Sequence, residues 1–293
     1  MDHRGDLRVP APLLVLASIT SVQLGSAIAR TGFDVAGAAG ITLLRLGLSS
    51  LLLLAVLRPR FWRWPRASLA AAGVLGMAMA AMNLTFYLAI RTVPLGVGVT
   101  VEFVGPLLLS LVQTRRLRDL LWAVFAGLGV ALLGLRDSGH VALTGLALAL
   151  FAGLCWAGYI LASARVGRLV SGLDGLAVSL AVGSVLVAPF GLVGAGHAVA
   201  DPPTLLVGFT VALLSSVIPY GCELVALRHI VTRVFGILMS MEPAAAAVAG
   251  LLVLDQHLGA VELMALGLVT IASIGVTLTN RPGRSVPAVP QPG

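Results

Sequence analysis

The sequence predicts an all-α membrane protein with ten transmembrane helices, arranged as two inverted five-helix repeats with both termini in the cytoplasm. Three observations predict this fold: the composition, the placement of the arginines and a weak internal repeat. Of the 293 residues, 58% are hydrophobic and 11% are charged, with a mean hydropathy of +1.03. That is far more apolar surface than one soluble core needs.

The apolar residues form runs whose length suits a bilayer, because a helix needs about 20 residues to cross the hydrocarbon. We predict ten spans near residues 11–29, 37–57, 68–89, 94–113, 119–135, 142–163, 174–194, 204–226, 234–254 and 260–279. Arg4 and Arg8, the apolar run that follows them, and the small residues Ala27 and Ala29 also resemble a cleaved signal peptide. We favour a first span, since the run is long enough to cross.

The arginines orient the spans. With a cytoplasmic N-terminus, the inner segments hold Arg4, Arg8, Arg58, Arg60, Arg63, Arg66, Arg115, Arg116, Arg118, Arg165, Arg168, Arg228, Arg233, Arg281 and Arg284. The outer loops hold only Arg30, Arg91 and Arg136. Such an excess of positive charge marks the cytoplasmic side. The net charge of +7 could also suit nucleic acid, but the arginines lie in short clusters between apolar runs. We therefore predict no nucleic-acid partner.

An internal repeat links the two halves of the chain. The spacing of Ala89, Arg91 and Pro106 recurs in Ala226, Arg228 and Pro243, and Gly127 has a counterpart in Gly267. Each half holds five predicted spans, an odd number, so the halves must cross the membrane in opposite directions. Inverted repeats are typical of secondary transporters, with the substrate site near the midplane.

Four stretches carry a family resemblance: ITLLRLGLSS at 41–50, MNLTFYLAIRTVPLGVGVTVEFVGPL at 82–107, CWAGYILASARVG at 155–167 and IPYGCELVALRHIVTRVFGILMSMEPAAAAVAGLLVL at 218–254. They resemble the bacterial threonine/homoserine exporters of the drug/metabolite transporter superfamily, which have two EamA-type repeats. The resemblance implies repeats at 1–136 and 137–280. The ending PGRSVPAVPQPG has four prolines in twelve residues and no apolar period, which predicts a disordered tail at 281–293. The resemblance also implies a multi-pass protein of the bacterial inner membrane, in contact with lipid, that exports small amino acids by proton antiport.

Three charged residues lie in the middle of predicted spans: Arg45, Glu102 and Glu242. A charge at the bilayer centre costs roughly 2.5–3.5 kcal/mol on insertion scales, so each must face the bundle interior, a watery cavity or another charge. One interpretation is a buried Arg–Glu pair that fastens helices. The other is a substrate site in which Arg45 meets the carboxylate of an amino acid and a glutamate meets its ammonium group. Desolvation disfavours an ionised carboxylate, so a glutamate here could also exchange protons.

Two prolines follow the glutamates and predict helix kinks. Pro106 cannot donate to the carbonyl of Glu102, and Pro243 cannot donate to that of Met239. The freed Glu102 carbonyl could accept a hydrogen bond from the substrate's ammonium group. Simple kinks that ease helix packing are the alternative, and both interpretations place the kinks beside a cavity.

Three pairs of side chains at helical spacing are further candidates for substrate binding or proton coupling. Asn83 and Tyr87, Trp156 and Tyr159, and Tyr220 and Glu223 each share one side of a helix. They are predicted to line the cavity, although interfacial belt residues would give the same pattern, which suits Tyr220 and Glu223 best. Gln23 is a further candidate for hydrogen bonding in the cavity.

Other classes of protein lack support in the sequence. No HExxH, GxSxG, P-loop or dinucleotide motif occurs, and the histidines lie in the tail, in loops or at span ends. We therefore predict no enzyme, no cofactor and no metal site. A channel or uniporter remains open, as does a transporter of drugs, toxic cations, aromatic amino acids or nucleotide sugars in the same superfamily.

Overall fold

The fold is helical throughout the part of the chain that the computed structural model describes, residues 10–114, 120–135, 142–226, 229–230 and 232–279. Short helical turns of other types lie at Phe61–Arg63 (3-10) and Leu213–Val217 (π). The α-helices are α1 (Ala11–Thr31), α2 (Phe33–Leu57), α3 (Arg66–Ala89), α4 (Leu95–Glu102), α5 (Val104–Thr114), α6 (Leu120–Leu135), α7 (Leu143–Leu169), α8 (Asp174–Ala200), α9 (Pro202–Ala212), α10 (Ile218–Ala226), α11 (Thr232–Met239), α12 (Glu242–Leu254) and α13 (Ala260–Thr279).

The helices confirm the prediction of an all-α membrane protein. Within the described ranges, nine helical segments are long and apolar enough to cross a membrane. The predicted span at 119–135 corresponds to α6, which is apolar but has only 16 residues. Residues 115–119 and 136–141 on either side of α6, and the predicted tail at 281–293, lie outside the described residues.

Helix boundaries follow local chemistry. Prolines precede α3 and α4, where Pro65 and Pro94 have extended ψ angles of 150° and 147°. The side chain of Asp201 caps α9 by accepting a hydrogen bond from the backbone N–H of Thr204 at 3.1 Å. Because apolar residues continue on both sides of these signals, the chain turns back into the membrane at each of them.

The bundle is built from long pairwise helix contacts. α2 lies along α8, α3 packs against α7 and α8, and α6 packs against α13. α1 packs against α9, α10 and α12, while α4 packs against α7 and α12. Large apolar side chains on the outside of α8, such as Phe190 and Val193, are 70% and 75% exposed, which suits a surface covered by lipid.

Two spans are broken in the middle of the bundle, and each break carries a glutamate. α4 ends at Glu102 and α5 begins at Val104, with Pro106 in the first turn of α5. α11 ends at Met239 and α12 begins at Glu242, with Pro243 in its first turn, where a missing N–H costs no helical bond. Each span is therefore interrupted a few residues before its proline, although Phe103 and Met241 keep αR backbone angles there.

The break at Glu102 is held by an unusually close approach of α7. A Cβ atom added to Gly153 would collide with the carbonyl oxygen of Glu102, and one added to Gly105 would collide with the carbonyl oxygen of Gly153. Only glycine permits this backbone contact at both positions. Gly153 therefore fixes the position of the Glu102 backbone.

We expect Gly153→Ala to lower the free energy of unfolding by roughly 1–3 kcal/mol, because the methyl group overpacks the contact. Thermal unfolding in detergent measures the change. Gly158→Ala is the matched control on the same helix, since a Cβ atom there has no neighbour within 4 Å. Equal midpoints for the two variants would contradict the importance of this contact.

Candidate functional site

A cavity of about 140 Å³ lies at the centre of the bundle, between the two broken spans. Side chains from both halves of the chain surround it. Its walls are formed by Val22, Gln23, Ser26, Arg45, Met82, Asn83, Phe86, Val99, Glu102, Trp156, Tyr159, Ser215, Pro219, Glu223, Met239 and Glu242. The cavity thus combines an apolar lining with a few charged and polar groups, as small-molecule sites do.

Arg45 projects from the middle of α2 and is only 8% exposed. Its Nη1 donates to the hydroxyl of Tyr87 at 3.1 Å, and its Nη2 donates to the carbonyl of Ser215 at 3.0 Å. The Nε has no hydrogen-bond partner, and Arg45 forms no ion pair with a glutamate of the described residues. The guanidinium is therefore held by neutral groups, which leaves its charge available to an anion.

The carbonyl of Ser215 is available to Arg45 because Pro219, four residues further along the chain, has no N–H to donate to it. Residues Leu213–Val217 form a π-helical segment between α9 and α10, a feature found frequently at functional sites. Two serines hold this segment in place. Ser49 of α2 donates to the carbonyl of Ala212 at 3.2 Å, and Ser21 of α1 donates to that of Leu214 at 2.7 Å.

Three glutamates surround the cavity, and their neighbours differ. Glu102 interacts electrostatically with Arg45, whereas Glu242 interacts with the like charges of Glu223 and Glu102. Glu223 accepts a hydrogen bond from Ser18 at 2.7 Å. Glu102 is the last residue of α4 and Glu242 is the first of α12, so each carboxylate lies at a helix break.

Aromatic and amide side chains complete the walls. The ring of Trp156 packs edge-on against Phe103, with 5.3 Å between the centroids, and this contact ties α7 to the break after Glu102. Asn83 donates from Nδ2 to the carbonyl of Met79 at 2.8 Å, which fixes the orientation of its amide. Both residues are therefore held rigidly beside the cavity.

The structure brings most of the predicted site residues together. Arg45, Asn83, Glu102, Trp156, Tyr159, Glu223 and Glu242 all line the one cavity. Glu223 lies there although the sequence favoured an interfacial position for it. Tyr87 was expected on the wall but is fully buried behind Arg45, and the side chain of Tyr220 lies outside the described part.

One detail of the prediction was wrong. The carbonyl of Glu102 was expected to be open to a ligand, but it packs against Gly153 of α7. Sequence reasoning also missed Ser215, Ser26 and Ser18. A single serine in an apolar span is compatible with any helix face, so the side chains gave no signal. For Ser215 the signal was Pro219, which cannot donate to the Ser215 carbonyl.

A second cavity of about 290 Å³ adjoins the first and shares Trp156, Tyr159, Glu223 and Met239 with it. It extends toward α5, α11 and the last turns of α13, where Ser110 and other residues of these helices line it. In the opposite direction, the apolar cluster that contains Phe33, Ile90 and Leu95 is closely packed. Among the described residues, the central cavity therefore meets further space toward α5 and α11.

Comparison with known proteins agrees with this architecture. The EamA-like transporter family matches residues 143–278. The threonine/homoserine exporter RhtA of Salmonella typhimurium (strain LT2) is 43% identical over 278 residues, which cover 94% of each chain. That of Escherichia coli (strain K12) is 42% identical over 271 residues, 92% of each chain. A crystal structure with 17% identity shares the fold, with a TM-score of 0.59 over 91% of this chain and 96% of its own.

The helical membrane bundle with its charged central cavity, together with these matches, identifies a multi-pass membrane transporter. The chain belongs to the EamA-like transporter family, in the group that includes these exporters. Members of this family are transporters and not enzymes. Among the described residues, no group of three or more histidine, cysteine, aspartate or glutamate side chains could hold a metal ion.

We expect Tyr87→Phe to lower the free energy of unfolding by roughly 1.5–3 kcal/mol, because it removes a buried hydrogen bond to a charged group. Thermal unfolding of the purified protein provides the measurement. In the Arg45→Ala background, the same change should cost little, since its partner is already absent. An equal cost in both backgrounds would show that the hydroxyl acts through another contact.

Proposed function

We propose that the protein exports small amino acids of the threonine/homoserine type across the bacterial inner membrane as a secondary transporter. One observation carries the proposal: a guanidinium and three carboxylates surround a single buried cavity. An amino-acid zwitterion presents one carboxylate and one ammonium group, which these charges complement. The relatives named above are exporters of threonine and homoserine, and their similarity extends over nearly the whole chain.

The size of the cavity favours a small substrate over the alternatives in the superfamily. The central cavity itself, where Arg45 and the glutamates meet, measures about 140 Å³, well below the roughly 300–1,000 Å³ of pockets that hold drug-sized molecules, and the adjoining second cavity lies to one side of these charges. A nucleotide sugar or a large drug would require a much wider site. A channel would require a continuous polar lining, but an apolar cluster lies directly beyond the cavity.

The proposal includes ten spans as two inverted repeats, at residues 1–136 and 137–280, with both termini in the cytoplasm. The packing supports it. The third span (α3) packs against the sixth (α7), and the corresponding spans of the other halves, the eighth (α9 and α10) and the first (α1), also pack against each other. The broken spans α4–α5 and α11–α12 occupy equivalent places in the two halves. In this topology, the second cavity lies on the cytoplasmic side, from which an exported substrate arrives.

We further propose that the export is driven by proton antiport, with Glu102 as the coupling group. Glu102 is the glutamate that interacts with Arg45, so a substrate carboxylate bound to Arg45 changes the electric field at Glu102 directly. The ammonium group of the substrate then favours the ionised form of Glu102. Binding of substrate and release of a proton are thereby linked at one site.

The proposed function predicts that Arg45→Ala lowers amino-acid exchange by about a hundredfold or more, because a guanidinium can make two charge-assisted hydrogen bonds to a carboxylate. Counterflow in proteoliposomes with a panel of amino acids measures this loss in a variant that purifies as a folded species. Arg91→Ala is the matched control, since Arg91 is exposed at the end of α3. A folded and fully active Arg45→Ala would contradict the assignment.

The coupling proposal predicts that Glu102→Gln, which keeps the shape but cannot ionise, exchanges substrate weakly and at a rate that an imposed pH gradient does not change. The wild-type protein should accelerate under the same gradient. Glu262→Gln is the control, because Glu262 does not line the cavity. Full gradient-driven transport by both Glu102→Gln and Glu242→Gln would rule out the coupling role of these glutamates.

A further inference from the structure

Three buried polar atoms beside the central cavity have no hydrogen-bond partner among the described residues. They are Oε1 of Gln23, Oγ of Ser215 and Nε of Arg45. Gln23 and Ser215 are each 3% exposed, and all three residues line the cavity. Leaving a buried polar group without a partner is costly, so their concentration at one cavity indicates a ligand that completes their hydrogen bonds.

Gln23 and Ser215 are brought together by the contact between α1 and the π-helical segment. Ser21, half a turn before Gln23, donates to the carbonyl of Leu214. Gly25 lies directly against the Ser215 side chain, since a Cβ atom at Gly25 would collide with the Ser215 Oγ. The absence of a side chain at Gly25 therefore lets α1 approach close enough to place Gln23 on the same wall as Ser215.

The chemistry of these two groups differs from that of the rest of the site. The charged groups Arg45, Glu102, Glu223 and Glu242 suffice for the carboxylate and the ammonium group that every amino acid carries. Gln23 and Ser215 are neutral, and each can both donate and accept a hydrogen bond. Their natural complement is a neutral group with the same double capacity, which is a hydroxyl.

We infer that Gln23 and Ser215 form a subsite for the side-chain hydroxyl of the transported amino acid. This inference rests on the proposed function and adds the basis of its selectivity. Ser215 is suited to the role because its own carbonyl binds Arg45, so the subsite and the carboxylate position share one residue. A site built to bond a hydroxyl also discriminates against a substrate without one, whose binding leaves Gln23 and Ser215 unpaired.

Threonine and valine provide the test, since they have nearly the same shape and differ in one hydroxyl. We expect the wild-type protein to exchange threonine faster than valine in proteoliposome counterflow. Gln23→Leu and Ser215→Ala should each lower the threonine-to-valine ratio by about two- to tenfold, the effect of one neutral hydrogen bond. The ratio is independent of how much of each variant is folded.

Ser216→Ala is the matched control. Ser216 lies in the same π-helical segment and its Oγ also has no partner, but it does not line the cavity. It should keep the wild-type ratio. If Gln23→Leu exchanges neither amino acid, Gln23→Asn, which keeps the amide on a shorter side chain, provides the ratio instead.

The outcomes separate the two levels of the proposal. A threonine-to-valine ratio that stays at the wild-type value in active Gln23 and Ser215 variants would overturn the hydroxyl subsite but leave amino-acid export in place. A ratio that falls equally in Ser216→Ala would also overturn it. Wild-type protein that exchanges no amino acid of the panel would instead contradict the proposed function itself.

Discussion

The buried guanidinium of Arg45 is the group on which the rest of the site depends. A charge in the middle of an apolar bundle must find acceptors, and here it finds them in the hydroxyl of Tyr87 and the carbonyl of Ser215. The carbonyl is available because Pro219, just after the π-helical segment Leu213–Val217, has no N–H to donate to it. That segment is held in turn by Ser21 and Ser49, so α1 and α2 both meet it beside the charge that Tyr87 of α3 also contacts.

The polar backbone groups at the two helix breaks must also be buried or satisfied, as the guanidinium of Arg45 is. Irregular backbone at membrane depth is tolerated only where protein buries it or where it lines a cavity. The break after Glu102 meets the first condition, because Gly153 of α7 covers the Glu102 carbonyl. The break before Glu242 begins a new helix with Pro243 in its first turn. Each glutamate therefore lies at the end of a helix, where its side chain can reach the cavity.

The sequence predicted those features that follow directly from the amino-acid types, because apolar runs are costly to expose to water and charges are costly to bury in a membrane. Long apolar runs predicted the helical membrane fold, and charges inside such runs predicted that Arg45, Glu102 and Glu242 face inward, as they do. A π-helical segment has no comparable signature, but Pro219 was a signal for Ser215, because proline cannot donate to the carbonyl four residues before it. Tyr87 shares a helix side with Asn83, yet one turn along α3 is enough to move it from the cavity wall to a position behind Arg45. Whether a side chain on α3 reaches the cavity therefore depends on how the helices pack, which helical spacing in the sequence does not define.

The balance of charges in the cavity supports proton binding there without reference to the homologous exporters. The cavity holds three carboxylates and one guanidinium, so full ionisation would leave two uncompensated negative charges in a poorly solvated space. A zwitterionic substrate has no net charge and cannot offset them, wherever it binds. Like charges at close range cannot all remain ionised, and Glu242 interacts with both Glu223 and Glu102. Bound protons are the simplest compensation, and protons held beside the substrate are what the proposed antiport requires.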